Sequence, residues 1–333
     1  METTATYNKA MLRSLVAVSI FSGMAAGQQA SLLILHKGAS SLGFYTHEGA
    51  HLASVPVGLH PHEMVRSPDG RYLYTTDNGT MRIEQAGAGG NTVSIVDLEA
   101  RHKIGEISLE HYRRPHGIDL DPKTGLLYVS TELPDQLLVV DPKARKVIRT
   151  YDTKGKTAHM VKLGPGGRWA YVSHSHSSNV AAIELATGKV KLIATGARPE
   201  GSALSVDGRF LYVVNREAAQ ITVIDTATQS AAGVIPTGKG PVRVQVAPDG
   251  TIVYALMHEK AVGFADPAAR RQVATVPIGG EPVSMALSPD GSLAFAAAQD
   301  IDTVYVVSVR ERRVVREIQT APKSFPDAIL VLN

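Results

Sequence analysis

The sequence predicts an all-β protein, a seven-bladed β-propeller in which each blade has four antiparallel strands. Three observations predict this fold: a repeat with a period in the low forties, a turn signal in each repeat, and no helical periodicity beyond the N-terminal segment. Four short strands per repeat at this period are typical of a propeller blade.

One column of the repeat shows the periodicity. The dipeptide Pro61-His62 returns as Pro115-His116, and the column continues at intervals of 54, 43, 41, 42, 41 and 44 residues, by subtraction of residue numbers. Each position in the column is expected to begin the innermost strand of one blade. The seven residues are His62, His116, His159, Glu200, Val242, Val283 and Asp327.

A turn separates the first and second strands of the repeats. Pro-Asp-Gly occupies residues 68–70, 248–250 and 289–291, each time between two apolar runs. Because proline presets one turn dihedral and glycine accepts a positive φ, this tripeptide favours a hairpin. Two alternating strands follow, most clearly at 210–215 and 221–225, and then a fourth.

The two ends of the chain are expected to share one blade. The last innermost strand, residues 325–333, has no partner strands after it, whereas three apolar runs, 32–35, 42–45 and 51–55, precede the first complete repeat. Pairing them completes a seventh blade and removes an exposed edge strand. Residues 28–333 are therefore predicted to form one propeller domain.

The composition excludes several classes of function. The chain has 333 residues, 44% of them hydrophobic, a formal net charge of +3 and no cysteine. Without thiols there is no cysteine nucleophile, thiolate metal site or disulfide. No basic block with interleaved aromatic residues indicates nucleic acid as a partner.

The N-terminal segment, residues 1–27, has the three parts of a secretory signal peptide. Lys9 and Arg13 precede an apolar run at 15–21, and the small residues 25–27 follow it. The run is too short to span a membrane comfortably. Removal of this segment would leave a periplasmic or secreted protein without a membrane span, which we expect to be a monomer.

The clearest repeat resembles the YVTN repeat. Tyr212-Val213-Val214-Asn215 is followed by Ile-Thr-Val-Ile-Asp-Thr at 221–226 and later by Pro241. The chain thereby resembles the surface-layer-type and lactonase-like seven-bladed propellers over essentially its whole length after residue 27. The resemblance implies the fold, whereas propellers serve as scaffolds, binders, hydrolases and lyases.

The asparagine of that repeat is retained at Asn215 and is replaced in the six other repeats. Such specialisation of single blades is more typical of a site than of a plain repeat array, although sequence drift also produces it. The residues that we align with Asn215 in the other repeats are His36, Asp77, Thr131, His174, Met257 and Ala298.

Equivalent residues of seven blades form a ring around the central channel, so neighbours in the column are neighbours in space. The polar members are contiguous in the closed ring and face an apolar arc of Val242 and Val283. Three imidazoles with carboxylates suit a divalent ion such as zinc, iron, manganese or nickel. Two alternatives stay open: imidazolium groups that bind an anionic substrate, and a solvated polar channel. The predicted metal ligands are His62, His116, His159, Glu200 and Asp327.

The loops between the second and third strands are expected to open on the same face as the loops that enter the innermost strands. Nine of the twelve histidines fall in or beside these loops. His174 and His176 are therefore candidate catalytic residues, although His-Ser-His-Ser is also typical of a plain polar loop. The candidate substrate-binding residues are His36, Asn215, Arg216, Glu217 and His258.

Two further features lie near this face. Strand alternation predicts that Arg243, one residue after Val242, points away from the channel axis. The insert at 85–91 lengthens the first interval of the repeat and is predicted to be a flexible surface loop. It is too glycine-rich to be a strand, and it lacks the lysine and spacing of a phosphate-binding loop.

The leading hypothesis for function is an exported propeller with a metal-dependent site that hydrolyses a lactone, or catalyses a β-elimination, on a small molecule. Glu200 would complete the metal shell or act as a general base. The lactonase option comes from the resemblance alone. The alternative is a non-enzymatic propeller that binds a protein, glycan or cell-envelope ligand on this face. A third hypothesis is a haem or copper redox protein.

Overall fold

The computed structural model describes residues 29–332, which form seven four-stranded antiparallel sheets arranged as the blades of a propeller. The predicted all-β, seven-bladed fold is confirmed. The predicted signal peptide, residues 1–27, lies outside the described residues.

Blade 1 unites the two ends of the chain. Leu32 lies opposite Val331 in an antiparallel pair of strands, so the C-terminal strand closes the ring as predicted. From the channel outwards, the strands of this blade are β28 (Pro326–Val331), β1 (Leu32–His36), β2 (Ser41–Tyr45) and β3 (His51–Pro56).

The other six blades follow the chain, and each begins with its innermost strand. The strands of blades 2 to 4 are β4 (Pro61–Arg66), β5 (Tyr72–Asp77), β6 (Thr92–Asp97), β7 (His102–Ser108), β8 (Arg113–Leu120), β9 (Leu127–Leu133), β10 (Asp135–Asp141), β11 (Lys146–Asp152), β12 (Ala158–Leu163), β13 (Trp169–His174), β14 (Asn179–Glu184) and β15 (Val190–Ala194). The strands of blades 5 to 7 are β16 (Pro199–Leu204), β17 (Phe210–Asn215), β18 (Gln220–Asp225), β19 (Ser230–Pro236), β20 (Pro241–Val246), β21 (Ile252–Leu256), β22 (Ala261–Asp266), β23 (Arg271–Pro277), β24 (Pro282–Leu287), β25 (Leu293–Ala298), β26 (Thr303–Ser308) and β27 (Arg313–Gln319).

Apolar side chains pack between neighbouring blades rather than around the channel. Phe264 of blade 6 shares one buried cluster with Met285 and Tyr305 of blade 7. Clusters of the same kind join blade 7 to blade 1 and blade 1 to blade 2. Because burial of this apolar surface stabilises the ring, the residues that face the channel are left for other roles.

Each innermost strand carries a β-bulge at its channel-mouth end. In blade 2, Pro61 lies opposite Asp77 and Met64 opposite Thr75, so three steps along β4 correspond to two along β5. The six other innermost strands shift register at the equivalent place. A bulge changes the direction of the side chains beside it, and in every blade it falls on the column that contains His62.

Helical structure within residues 29–332 consists of three 3-10 turns, Pro165–Gly167, Met257–Glu259 and Gln299–Ile301. Two of them directly follow the second strands of blades 6 and 7 and lie at the channel mouth. In this part of the chain, no helix has the length and apolar character that a membrane span requires.

Candidate functional site

A cavity of about 560 Å³ opens at the channel mouth. All seven residues of the repeat column line it, and they come from the seven innermost strands. The ring expected from the repeat is therefore present. Its five polar members are almost completely buried: His62, His116, His159, Glu200 and Asp327.

A strap, residues 81–84, precedes the insert in the connection between β5 and β6 and lines the cavity. The Arg114 guanidinium holds the strap and the insert by donating to three of their backbone carbonyl oxygens, two of them at 3.0 and 3.1 Å. Arg198 forms an ion pair with Glu84 of the strap. The insert contains no strand, as predicted, and two arginines fix it across the site.

The three column histidines lie side by side. The ring centroids of His62 and His116 are 4.6 Å apart, and those of His116 and His159 are 3.7 Å apart. Burial, together with neighbouring cationic groups, lowers the pKa of His62 and of His116 well below the usual value. Both rings are therefore neutral near pH 7, the form in which imidazole binds metals and accepts protons.

His62 is held in one tautomer by the backbone. Its Nδ1 atom lies 3.0 Å from the carbonyl oxygen of His60, which can only accept a hydrogen bond. Nδ1 therefore carries the proton, and Nε2 of the neutral ring keeps its lone pair. His62 lines the cavity with a ring that can act as a base.

His159 lies between two carboxylates. Its Nε2 is 2.7 Å from Oε2 of Glu200, and its Nδ1 is 3.9 Å from Oε1 of Glu132. Burial alone would lower the pKa of His159, but the two carboxylates raise it overall. For Glu200, burial acts to raise the pKa, and His159 with the nearby arginines outweighs it and lowers the value to about 2. The pair is an ion pair over a wide range of pH.

One group of three residues within 29–332 has the geometry to hold a metal ion: His116, Glu132 and His159. One ligand atom from each lies within 4.8 Å of the other two, and all three residues are buried. His116 Nδ1, Glu132 Oε1 and His159 Nδ1 each have no hydrogen-bond partner among these residues. Two imidazole nitrogens and a carboxylate oxygen are a donor set suited to zinc and related ions.

The other predicted ligands, His62, Glu200 and Asp327, lie in the ring but outside this group. Glu200 binds His159 and is 3.5 Å from the guanidinium of Arg216. Asp327 forms an ion pair with Lys37, with Nζ 3.3 Å from Oδ2. Both oxygens of Glu200 and Oδ2 of Asp327 are therefore already engaged by protein groups.

A second ring of residues supplies these partners, and it was missed in the sequence. In each blade, one residue of the second strand lies opposite the first residue of the bulge. The residue that follows it in the sequence belongs to this second ring. Met257 belongs to it, because Pro241 lies opposite Leu256 and our alignment of Met257 with Asn215 was wrong by one residue. The members are Lys37, Asn78, Glu132, Ser175, Arg216, Met257 and Gln299. Reading this second column beside the first would have identified Glu132.

Three predicted residues are placed inside the blades and do not line the cavity. His36 Nε2 lies 2.8 Å from the hydroxyl of Tyr45, and burial lowers its pKa to about 4. His174 Nδ1 lies 2.7 Å from Oδ1 of Asn179. The Asn215 amide donates to backbone carbonyls and a threonine hydroxyl of its own blade.

The remaining predicted residues lie at the rim. Arg216 lines the cavity beside Glu200. His176 and His258 are exposed outside the cavity, and Glu217 is exposed and 3.4 Å from Arg198.

Arg243 corrects the expectation from strand alternation. It lines the cavity together with its neighbour Val242, and its guanidinium forms an ion pair with Glu63 of blade 2 across the channel. The bulge in β20 explains this, because it interrupts the alternation between these two residues. Glu63 and Arg243 each directly follow a column residue, so the ion pair spans the channel one residue further along the innermost strands.

Comparison with known proteins supports the fold assignment. The family described as Lactonase, 7-bladed beta-propeller matches residues 35–232, more than half of the chain. The hydrazine synthase subunit beta of Kuenenia stuttgartiensis is 26% identical over 178 residues, which are 50% of this chain and 41% of that protein. The chain thus spans about two fifths of the length of this curated relative.

Solved structures share the propeller. A functionally unknown protein from Desulfotomaculum acetoxidans matches with a TM-score of 0.77 and 16% identity, covering 92% of this chain and 99% of that one. The dihydro-heme d1 dehydrogenase NirN, solved in complex with DHE, matches with a TM-score of 0.66 and 16% identity, covering 89% and 65%. At these identities the likeness concerns the fold alone.

Proposed function

This chain belongs to the family of seven-bladed lactonase propellers, and we propose that its channel-mouth cavity hydrolyses a cyclic ester with a divalent metal ion as cofactor. The observation that carries the proposal is the buried group of His116, Glu132 and His159. One ligand atom of each residue lies within 4.8 Å of those of the other two, and each residue has a buried polar atom without a hydrogen-bond partner within the described chain. Buried polar atoms in native proteins are nearly always paired, so three such atoms together point to a bound ion.

The hydrogen bond between His159 and Glu200 leaves the other ring nitrogen of His159 available to an ion. Glu200 accepts the hydrogen bond from Nε2 of His159, so Nδ1 is the nitrogen with a lone pair once the ring is neutral. Zinc, iron, manganese and nickel all accept two imidazoles and one carboxylate. When bound, such an ion supplies Lewis-acid polarisation of a substrate carbonyl.

His62 is the base that the geometry offers. A water molecule that attacks the carbonyl carbon of the lactone would give one proton to His62 Nε2 as the new carbon–oxygen bond forms. The ring carbon–oxygen bond then breaks, and the proton passes to the departing alkoxide oxygen. The product is one hydroxy acid, so atoms and charges balance.

Glu200 has a different role from the base that its sequence position indicated. A carboxylate whose pKa is lowered to about 2 and which already binds His159 is a poor proton acceptor. We assign it as a positioning residue for His159. His159, and after it the guanidinium of Arg216 3.5 Å away, lower the pKa of Glu200 and keep it ionised.

The test is metal analysis of the purified chain together with a hydrolysis assay on simple lactones. We expect about one equivalent of a transition metal per chain, as for other sites of this donor set. His116→Ala and Glu132→Gln should lose both the metal and the hydrolysis. His111→Ala, an exposed histidine in the loop before β8, is the matched control and should keep both.

Other outcomes identify the competing functions. Absence of metal, with no rise in melting temperature on adding zinc or manganese, would contradict the metal site. Binding of a glycan or protein that survives both His116→Ala and Glu132→Gln would favour a non-enzymatic propeller. An unsaturated product would indicate a lyase, and visible absorbance of the isolated protein would indicate haem or copper.

The cellular location of this reaction and the oligomeric state of the protein are also proposals. The basic residues, apolar run and small residues within 1–27 support export to the periplasm or medium, and we propose that the mature chain acts there as a monomer on a small molecule. Mass spectrometry of the exported protein should show a new N-terminus near residue 28. An uncleaved chain in the cytoplasm would contradict export.

A further inference from the structure

We propose that the substrate carries an uncharged aliphatic substituent, and that this substituent lies against an apolar arc of the cavity formed by Val242 and Val283. This inference rests on the proposed function, because it takes the reactive carbonyl to lie beside His116, Glu132 and His159.

The position of the arc in the ring gives the geometry. Seven column residues surround the channel, and the two valines follow Glu200 and precede Asp327. In a ring of seven, the position of Val283 is diametrically opposite the interval between His116 and His159. A substituent on a carbonyl held at these histidines would therefore extend across the cavity towards the valines.

The apolar side continues beyond the two valines. Met257 follows β21 in the blade of Val242, and Phe325 precedes β28 in the blade next to that of Val283. Both line the cavity, and so do Met81 and Ile83 of the strap. Apolar surface on one side and convergent polar groups on the other are typical of a site for a small amphiphilic molecule.

The same surface argues against a glycan and against an anionic tail. Sugar hydroxyls in contact with Val242 and Val283 would lose hydrogen bonds to water without gaining partners from the two valines. Glu281 and Asp300 line the cavity in the blade of Val283. A carboxylate at the end of the substituent would be repelled by these two acids, because the lining cations Arg243 and Lys37 are already paired with Glu63 and Asp327.

The experiment separates binding from hydrolysis. The hydrolysis probes are γ-butyrolactone, γ-hexalactone and γ-octalactone, and KM is measured for each. The binding probes are 2-alkyltetrahydrofurans of matching chain length, which cannot be hydrolysed, and Kd is measured by calorimetry. Burial of one methylene is worth about 0.8 kcal/mol, so we expect KM and Kd to fall about threefold to fourfold per added methylene.

Substitutions locate the effect on the arc. Val283→Ser, at a half-buried position, should reduce the change per methylene to less than twofold. Val242→Ala is a second variant with a milder change of the same kind. Val206→Ser, at the exposed hairpin turn of blade 5, is the control and should leave the chain-length dependence unchanged.

Each result decides between the two proposals. Hydrolysis without chain-length dependence, or tighter binding of gluconolactone than of octalactone, would overturn the aliphatic substituent and leave the hydrolase intact. Chain-length-dependent binding of the ethers without any hydrolysis would support the arc and overturn the hydrolase. Loss of both would overturn both.

Discussion

The Nε2 atom of His159 lies 2.7 Å from Oε2 of Glu200, and this contact selects the ring nitrogen that faces Glu132. Nε2 donates to the carboxylate, so the neutral ring keeps its lone pair on Nδ1, 3.9 Å from Oε1 of Glu132. Ligating histidines commonly bind a carboxylate through their second nitrogen, which fixes the ring for the metal.

Glu200→Gln should therefore weaken metal binding without abolishing it. Loss of such a carboxylate partner typically lowers metal affinity about 10- to 100-fold, whereas Glu132→Gln removes a ligand and should prevent binding at micromolar metal. Competition with a chromophoric chelator measures both. Glu217→Gln, an exposed glutamate of the same blade, is the control. Unchanged affinity in Glu200→Gln would show that Glu200 does not orient His159.

The same substitution should change the pH dependence of stability in the metal-free protein. Burial lowers the pKa of His159, but Glu200 and Glu132 raise it overall. The contribution of His159 to the free energy of unfolding is therefore fully present below its ordinary pKa of 6.5 and is lost as pH rises through its raised pKa. The pKa of Glu200 is about 2 in the folded state, so its contribution to the free energy of unfolding is present above pH 4.5 and is lost as pH falls towards 2.

Glu200→Gln should lower the pKa of His159 and flatten the loss of stability that the parent shows as pH rises above 6.5. NMR titration of the imidazole signals and melting temperatures at stepped pH values measure the two effects. A pKa of His159 that does not move would contradict the contact between the two side chains.

The ring at the channel mouth could be predicted because the period of the repeat fixes which residues are equivalent. Glu132 could not be found from the same column, since it comes from the end of a second strand and belongs to another ring. In blade 6 the 3-10 turn at Met257–Glu259 follows directly on β21, and a single sequence offers no signal to set that register.

Arg243 shows a second limit of the sequence. Alternation is the only rule that strand periodicity provides, and a bulge breaks it locally without a residue signature. Val242 and Arg243 consequently line one cavity although they are adjacent in one strand. The roles of single polar residues were equally hidden: His36 and His174 lie at strand ends near the mouth, but hydrogen bonds within their own blades hold them.

The ion pair between Arg243 and Glu63 should be strongly coupled. Both side chains are nearly buried, so Glu63→Gln leaves the guanidinium without its partner, at a cost of about 3–5 kcal/mol in the free energy of unfolding. The double variant Glu63→Leu/Arg243→Met should lose much less stability than the sum of the losses in Glu63→Leu and in Arg243→Met. Urea denaturation at pH 7 gives the coupling.

The exposed pair of Glu311 and Arg313 provides the comparison for this cycle. Glu311→Gln is expected to change stability by less than about 1 kcal/mol, because solvent screens the pair. Equal effects of Glu63→Gln and Glu311→Gln would contradict a buried ion pair across the channel.

Asp77 should make the protein less stable as pH rises through the mildly acidic range. Burial raises the pKa of Asp77 to about 6, although its oxygens accept hydrogen bonds from Thr92, Ser94 and the backbone of Gly58. The folded state thus holds the proton more tightly than the unfolded chain, whose value is 3.8. The stabilisation is complete below about pH 4 and is lost by about pH 6, a change of up to about 3 kcal/mol.

Asp77→Asn removes this titration and keeps the shape of the side chain. The difference in free energy of unfolding between the variant and the parent should shift in favour of the variant from pH 4 to pH 7. Denaturant titrations at both pH values measure it. A difference that is the same at the two pH values would show that the pKa of Asp77 is not raised.

Arg114 should keep the strap closed over the cavity. Its guanidinium donates to three carbonyl oxygens of the strap and the insert and lies 3.5 Å from Glu132. Hydrogen bonds from a charged group contribute about 1.5–3 kcal/mol each, so Arg114→Ala should speed trypsin cleavage after Arg82 at least tenfold. Glu84→Ala, which removes only the ion pair with Arg198, should have a smaller effect. Arg209→Ala, at an exposed turn on the opposite face, should leave the rate unchanged, and a similar rate in Arg114→Ala would mean that other contacts close the strap.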